Sequence, residues 1–119
     1  MGIPDTRIVK LPKKNNWWGP VGDTGPCGPD TEMFYWIGKK AAPEKFDPDN
    51  PQWVEIWNNV FMEYEKKIKN KKLKIKDESE YEIVPLTQKN VDTGFGMERN
   101  LAVVNGVNDD YKTELFWPI

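Results

Sequence analysis

The chain has 119 residues, 30% of them charged, and a formal net charge of −2, a size that fits one domain or a piece of one and buries a modest core. With a pI near 5.2 there is no global electrostatic reason to bind nucleic acid, so any RNA contact must be local. One cysteine, Cys27, and no histidine exclude an internal disulfide, a zinc site and a Ser-His-Asp triad within the chain, leaving carboxylates, arginine and backbone groups to carry any chemistry.

Residues Gly19 to Asp30 read GPVGDTGPCGPD, with seven Gly or Pro in twelve positions, which predicts a long loop built as a string of turns without regular structure. Thr31 to Ile37 is rich in aromatics and closed by Gly38, the pattern of a short strand. A polar, proline-bearing connection follows from Lys39 to Pro51. From Trp53 to Tyr64 the spacing has period 2 and places Val54, Ile56, Asn58, Val60, Met62 and Tyr64 on one face of a long strand. Asn58 interrupts that apolar face, and a buried amide requires partners; either the protein, by backbone groups in the plain reading, or a ligand must satisfy it.

Seven of the eleven residues from Lys66 to Lys76 are lysine, interleaved with Ile68, Leu73 and Ile75 around an Asn70-Lys71 turn, which predicts a projecting hairpin. It can be read as a phosphate-binding patch or as a solvated hairpin neutralised by the acidic run Asp77, Glu78, Glu80 and Glu82. Tyr81 to Leu86 forms a further strand, with Pro85 near its end suiting an edge or a terminus. From Asn90 the chain runs as a strand into Gly94 and Gly96 and then a helix from about Met97 to Asn105, with Gly106 as its stop.

The segment Asn90 to Arg99 gathers a carboxylate, two glycines two residues apart and an arginine. Glycine lets a flat ligand approach the main chain, and a guanidinium grips phosphate with a planar fork. The same layout also occurs as a plain structural turn. Arg99 falls in the first helical turn, where the dipole favours anions, so its placement points to a bound anion shared with the helix end.

Five blocks taken together carry a resemblance: Asn16-Trp17-Trp18-Gly19-Pro20, Gly22 to Pro29, Thr31-Glu32-Met33-Phe34-Tyr35, Glu55 to Met62, and Val91 to Arg99, with Tyr111 to Phe116 closing the series. In that order and over essentially the whole chain they resemble the catalytic domain of bacterial-type alanyl-tRNA synthetase. The resemblance implies an α+β fold, part of a class II synthetase core with an antiparallel sheet and flanking helices. Gly94 to Arg99 is similar to the third signature motif of that class, in which the arginine meets the ATP triphosphate and Gly94 and Gly96 underlie the adenine. It implies that Asp92 holds the alanine amino group, that Asn58 is a polar contact to the amino acid, and that Trp18, Val60 and Gly94 line the side-chain pocket.

The implied reaction joins alanine to ATP with loss of pyrophosphate and passes the alanyl group to tRNA(Ala). A carboxylate is already a competent nucleophile, so positioning and charge stabilisation by Arg99, Mg²⁺ and backbone donors can carry the first step. The residues assign no metal ligand set, and Glu55, a candidate for Mg²⁺, alternates to the strand face opposite Asn58. The first and second class motifs do not occur upstream of Trp17, and no editing or tRNA-recognition region is recognisable. Residues 1–119 therefore read as one domain or fragment, the C-terminal half of an alanine-activating domain, expected to be inactive without its N-terminal half and to self-associate through uncovered strand edges. A non-catalytic binding or regulatory module, or an inert fragment, is the alternative. Asn100 departs from the apolar or Thr residue expected there.

No apolar run approaches the roughly 20 residues that cross a bilayer. The start Met1-Gly2-Ile3-Pro4-Asp5 lacks the basic and apolar regions of a secretory signal, so the expected compartment is the cytoplasm.

Overall fold

The computed structural model describes residues 3–69 and 80–117. Its strands are β1 (Trp17–Trp18), β2 (Gly25–Trp36), β3 (Trp53–Ile68) and β4 (Tyr81–Gly94), followed by the helix α1 (Met97–Val104). They form one four-stranded antiparallel sheet in the order β1-β2-β3-β4. Short 3-10 turns occur at Asp5–Arg7 and Asp110–Lys112. Where the resemblance implied flanking helices, α1 is the one α-helix among the described residues, eight residues long.

β3 forms where the period-2 pattern predicts it and continues four residues further, to Ile68. β-Branched and aromatic side chains fit a pleated, half-buried surface, and Val60 and Met62 on one of its faces are buried. The predicted hairpin beyond it falls largely outside the described residues. At its base the Lys69 N–H donates to the Glu80 carbonyl at 2.9 Å, and the Lys66 ammonium lies 4.2 Å from the centre of the Tyr81 ring.

Two sequence expectations are corrected. The turns of the Gly/Pro-rich stretch end by Thr24, around Gly22 with φ of 105°, and the second half of that stretch is already strand, because β2 begins at Gly25 rather than Thr31. Proline φ lies within the extended region, and a proline disrupts a sheet only where its missing N–H is needed. β1 is two residues long and pairs only Trp17 with Pro29 and Trp18 with Gly28, so few donors are required there. Gly28 itself is fixed by sterics: a Cβ at that position would collide with the Phe61 carbonyl of β3.

The second correction concerns the strand end at Pro85: of the edge or terminus expected there, the sheet shows the edge. β4 runs through Pro85 to Gly94, merging the two segments expected around Leu86 and Asn90. β4 is an outer strand, where one face of the backbone makes no ladder and a proline is tolerated. α1 ends as its sequence dictates: Gly106 has φ of 67°, its N–H donates to Val103 O at 3.1 Å, and the Val107 N–H donates to Ala102 O at 3.0 Å. This is the paired closure typical of a glycine helix stop.

The chain divides into two compact units, one of Met1–Leu11, Glu32–Asn58 and Gly94–Ile119, the other of Pro12–Thr31 and Asn59–Thr93. The first has an aromatic core, with Phe34 against Phe46 at 4.8 Å, Trp36 against Trp53 at 5.0 Å and Phe46 against Trp53 at 5.5 Å between ring centres. Ala102 and Thr113 are buried in it. The second buries Cys27, Val60 and Met62 and packs Trp17 on Tyr64 at 5.6 Å.

Two glycine substitutions should separate sterics from composition. Gly28→Ala is expected to lower stability in denaturant unfolding by about 1–3 kcal/mol, the usual range for overpacking. Gly94→Ala, where an added Cβ meets nothing within 4 Å, should stay within about 0.5 kcal/mol of the parent.

Candidate functional site

In the first unit the glycine segment is held against β3 by three consecutive contacts. Phe95 stacks on Trp57, with ring centres 5.0 Å apart and planes 9° from parallel. Arg99 Nη1 donates to Glu55 Oε2 at 3.1 Å and to the Glu55 carbonyl at 3.3 Å. Asn100 Nδ2 donates to the Ile56 carbonyl at 2.8 Å and to the Gly96 carbonyl at 2.9 Å. Gly96 is the N-cap of α1 and supports the arginine directly, since a Cβ there would lie 3.1–3.4 Å from the Arg99 Cδ, Cγ and Cβ atoms. The aliphatic stem of Arg99 therefore crosses the bare backbone of Gly96.

Arg99 was expected to need an anion, and the structure supplies one from the protein: the Glu55 carboxylate. Both side chains are partly open to solvent, 43% for Arg99 and 33% for Glu55, and a pair so exposed contributes only about 0–1 kcal/mol. Only Nη1 of the guanidinium is used in these bonds. A more highly charged anion can join or displace such a contact without a large penalty. Glu98 occupies the same first turn, where a carboxylate complements the helix dipole.

Asn58 lies three residues beyond Glu55 and so on the other face of β3, as the alternation predicts. Its Nδ2 donates to Glu32 Oε1 of β2 at 3.3 Å. One partner of this amide is thus a carboxylate of the protein itself.

The second unit holds Trp18, half-buried in β1, Val60, buried in β3, and Asp92, exposed on β4. Asp92 lies at the wall of an open cavity of about 570 Å³ that Pro26, Met62, Leu86, Gln88 and Asn90 also line, a size within the usual range of small-molecule sites. Trp18 and Val60 are not among its walls. Cys27 is buried beside β1, and that burial pushes its thiol up despite a backbone hydrogen bond at Lys66 that acts the other way. It is therefore a packing group and not a nucleophile. On β4 the Lys89 ammonium donates to Glu63 Oε2 at 2.9 Å, a bond that raises the Lys89 pKa.

Among the described residues no group of three or more Asp, Glu or Cys side chains could cage a metal. Mg²⁺ makes a smaller demand, because it keeps several waters and binds through one or two carboxylates plus substrate phosphates. Glu55 beside Arg99 meets that demand with one carboxylate. Sequence reasoning missed Glu32 as the partner of Asn58, and it noticed Asn100 only as an unusual residue. The signal for Asn100 was available: an amide in the first turn of a helix can return to the backbone.

Residues 1–119 match the family described as tRNA synthetases class II (A), and the chain belongs to that family. Within the class it corresponds to a segment of the alanyl-tRNA synthetase catalytic domain. Alanine–tRNA ligase of Treponema denticola is 46% identical over 121 residues, covering 100% of this chain and 18% of the relative. That of Treponema pallidum is 42% identical over 121 residues with the same coverage, and that of Rubrobacter xylanophilus is 37% identical over 129 residues, covering 100% of this chain and 13% of the relative. The chain thus spans less than a fifth of the length of these relatives.

If the Arg99–Glu55 pair is the weak, exchangeable contact its exposure implies, Glu55→Gln should lower unfolding stability by no more than about 1 kcal/mol. A loss above about 2 kcal/mol in chemical denaturation would show a structural pair instead.

Proposed function

We propose that this chain contributes the alanine and ATP sites of an alanine–tRNA ligase, in which alanine and ATP form alanyl-adenylate and pyrophosphate before the alanyl group passes to tRNA(Ala). The observation that carries the reading is the placement of Arg99: a permanently charged guanidinium at the start of α1, half open to solvent and held by one weak ion pair. Its remaining donors fit the non-bridging oxygens of a triphosphate, which guanidinium groups bind in a planar fork. Gly96 gives the Arg99 stem a bare backbone to cross, and Gly94, around which an added Cβ would meet nothing within 4 Å, leaves main chain open to the face of the adenine. Gly94 has neither a packing demand nor a positive φ to explain it, which favours ligand approach.

In this reading the exposed carboxylate of Asp92 receives the α-ammonium group of alanine, and Asn58 supplies a polar contact. The resemblance further assigns Trp18, Val60 and Gly94 to the methyl group of alanine. The alanine carboxylate is then the nucleophile and attacks the α-phosphorus, with pyrophosphate leaving. No protein base is needed, since the attacking oxygen is already ionised; holding the reactants in line supplies most of the acceleration. Mg²⁺, arriving with ATP, would neutralise phosphate charge; the nearest carboxylate to Arg99 is Glu55, on the strand face opposite Asn58. The tRNA step, and the second arginine that class II chemistry places on the α-phosphate, belong to the rest of the ligase, which acts in the cytoplasm.

Alanine-dependent ATP–pyrophosphate exchange by the ligase that contains this segment tests the assignment. Asp92→Ala should raise the KM for alanine about 10- to 100-fold, the equivalent of losing one charge-assisted hydrogen bond, and leave the KM for ATP nearly unchanged. Arg99→Ala should do the reverse. If both variants kept both constants, neither residue would touch substrate and the reading would fail.

A further inference from the structure

Arg99 and Asn100 reach β3 side by side, at the carbonyls of two consecutive residues, Glu55 and Ile56. The function proposed above uses only the first of them. Asn100 spends its side-chain donors on two elements at once, Ile56 O in the strand and Gly96 O at the helix cap. Its backbone N–H donates to the same Gly96 carbonyl at 2.9 Å as the opening bond of α1. Asparagine is a poor helix former, and an apolar residue would suit an eight-residue helix better. The bond that an apolar residue could not make is the one to Ile56, which ties the helix to the strand.

The N-cap makes that tie consequential. Gly96 offers no side-chain cap, so nothing in the cap itself fixes where the first turn sits on β3. Phe95 fixes the approach from one side by stacking on Trp57, and Asn100 fixes it from the other. Arg99 lies between these two anchors, and its guanidinium is delivered wherever the first turn is set.

We infer that Asn100 is a positioning residue for ATP: by clamping the start of α1 to the Ile56 carbonyl, it aims the Arg99 guanidinium at the triphosphate. This inference rests on the reading of Arg99 as the triphosphate ligand.

The test compares three variants of the full-length ligase containing this segment in alanine-dependent ATP–pyrophosphate exchange. Asn100→Leu keeps the size, improves helix propensity and donates no hydrogen bond. Its KM for ATP should rise roughly tenfold, as expected for loss of one positioning bond, while its KM for alanine changes less than about twofold. Asn100→Thr can return its hydroxyl to the Gly96 carbonyl but cannot span to Ile56; it should show the same shift in ATP alone, and it serves if the leucine variant does not fold. A folded variant with unchanged KM for ATP, or with equal rises in both constants, would overturn the clamp. Arg99→Ala, run in parallel, separates the two claims. If it raises the KM for ATP while the Asn100 variants do not, the clamp is wrong and the site stands. If it leaves that constant unchanged, the triphosphate reading falls and takes the clamp with it.

Discussion

The stretch of β3 from Glu55 to Trp57 is the constraint on which the candidate site depends. Its two carbonyls, one carboxylate and one indole ring receive Arg99, Asn100 and Phe95, so a single strand sets the position of the whole glycine-to-helix segment. The helix that follows is too short to be stable by propensity alone, since isolated helices of eight residues are marginal in water. Its order comes from what it touches. The chemistry assigned to Arg99 is in this sense a property of the strand as much as of the helix that bears it.

The energetics of the Arg99–Glu55 pair suit a group that must exchange partners. A buried arginine with a desolvated carboxylate would be costly to separate, and breaking such a pair commonly loses 3–5 kcal/mol. The observed pair is partly solvated and shares one guanidinium nitrogen between a carboxylate and a carbonyl. It keeps the side chain extended toward β3 and leaves other donors unused by the strand. Under the function proposed for Arg99, preorganisation of this kind would lower the entropy lost on binding phosphate.

The sequence made β3 and α1 legible because each depends on a local rule: period-2 alternation for Val54 to Tyr64, and the glycine stop at Gly106. It also made Asp92, Gly94 and Arg99 stand out, since carboxylate, glycine and arginine in ten residues are few and chemically pointed. What it hid depends on long-range pairing. The strand character of Gly25 to Asp30 belongs to its pairing with β1, and the glycine at position 28 to the close approach of the Phe61 carbonyl, neither of which composition can express. Pro85 allowed an edge or a terminus, and only the topology, which makes β4 an outer strand, decides for the edge. Glu32 was opaque because its partner Asn58 lies 26 residues away, and for Asn100 only the contact with the Ile56 carbonyl, 44 residues away, was hidden.

The central claim is that Glu55, through its carboxylate, and Asn100, through the neighbouring Ile56 carbonyl of β3, act on one object, the Arg99 guanidinium. A double-mutant cycle measures this directly, using Glu55→Gln and Asn100→Leu, singly and together, with the KM for ATP in pyrophosphate exchange as the readout. Groups that share a partner are non-additive, with coupling commonly of about 0.5–3 kcal/mol. The account predicts that the double variant binds ATP at least about twofold better than the product of the single effects requires. Effects that simply multiply would show two independent contacts and contradict it.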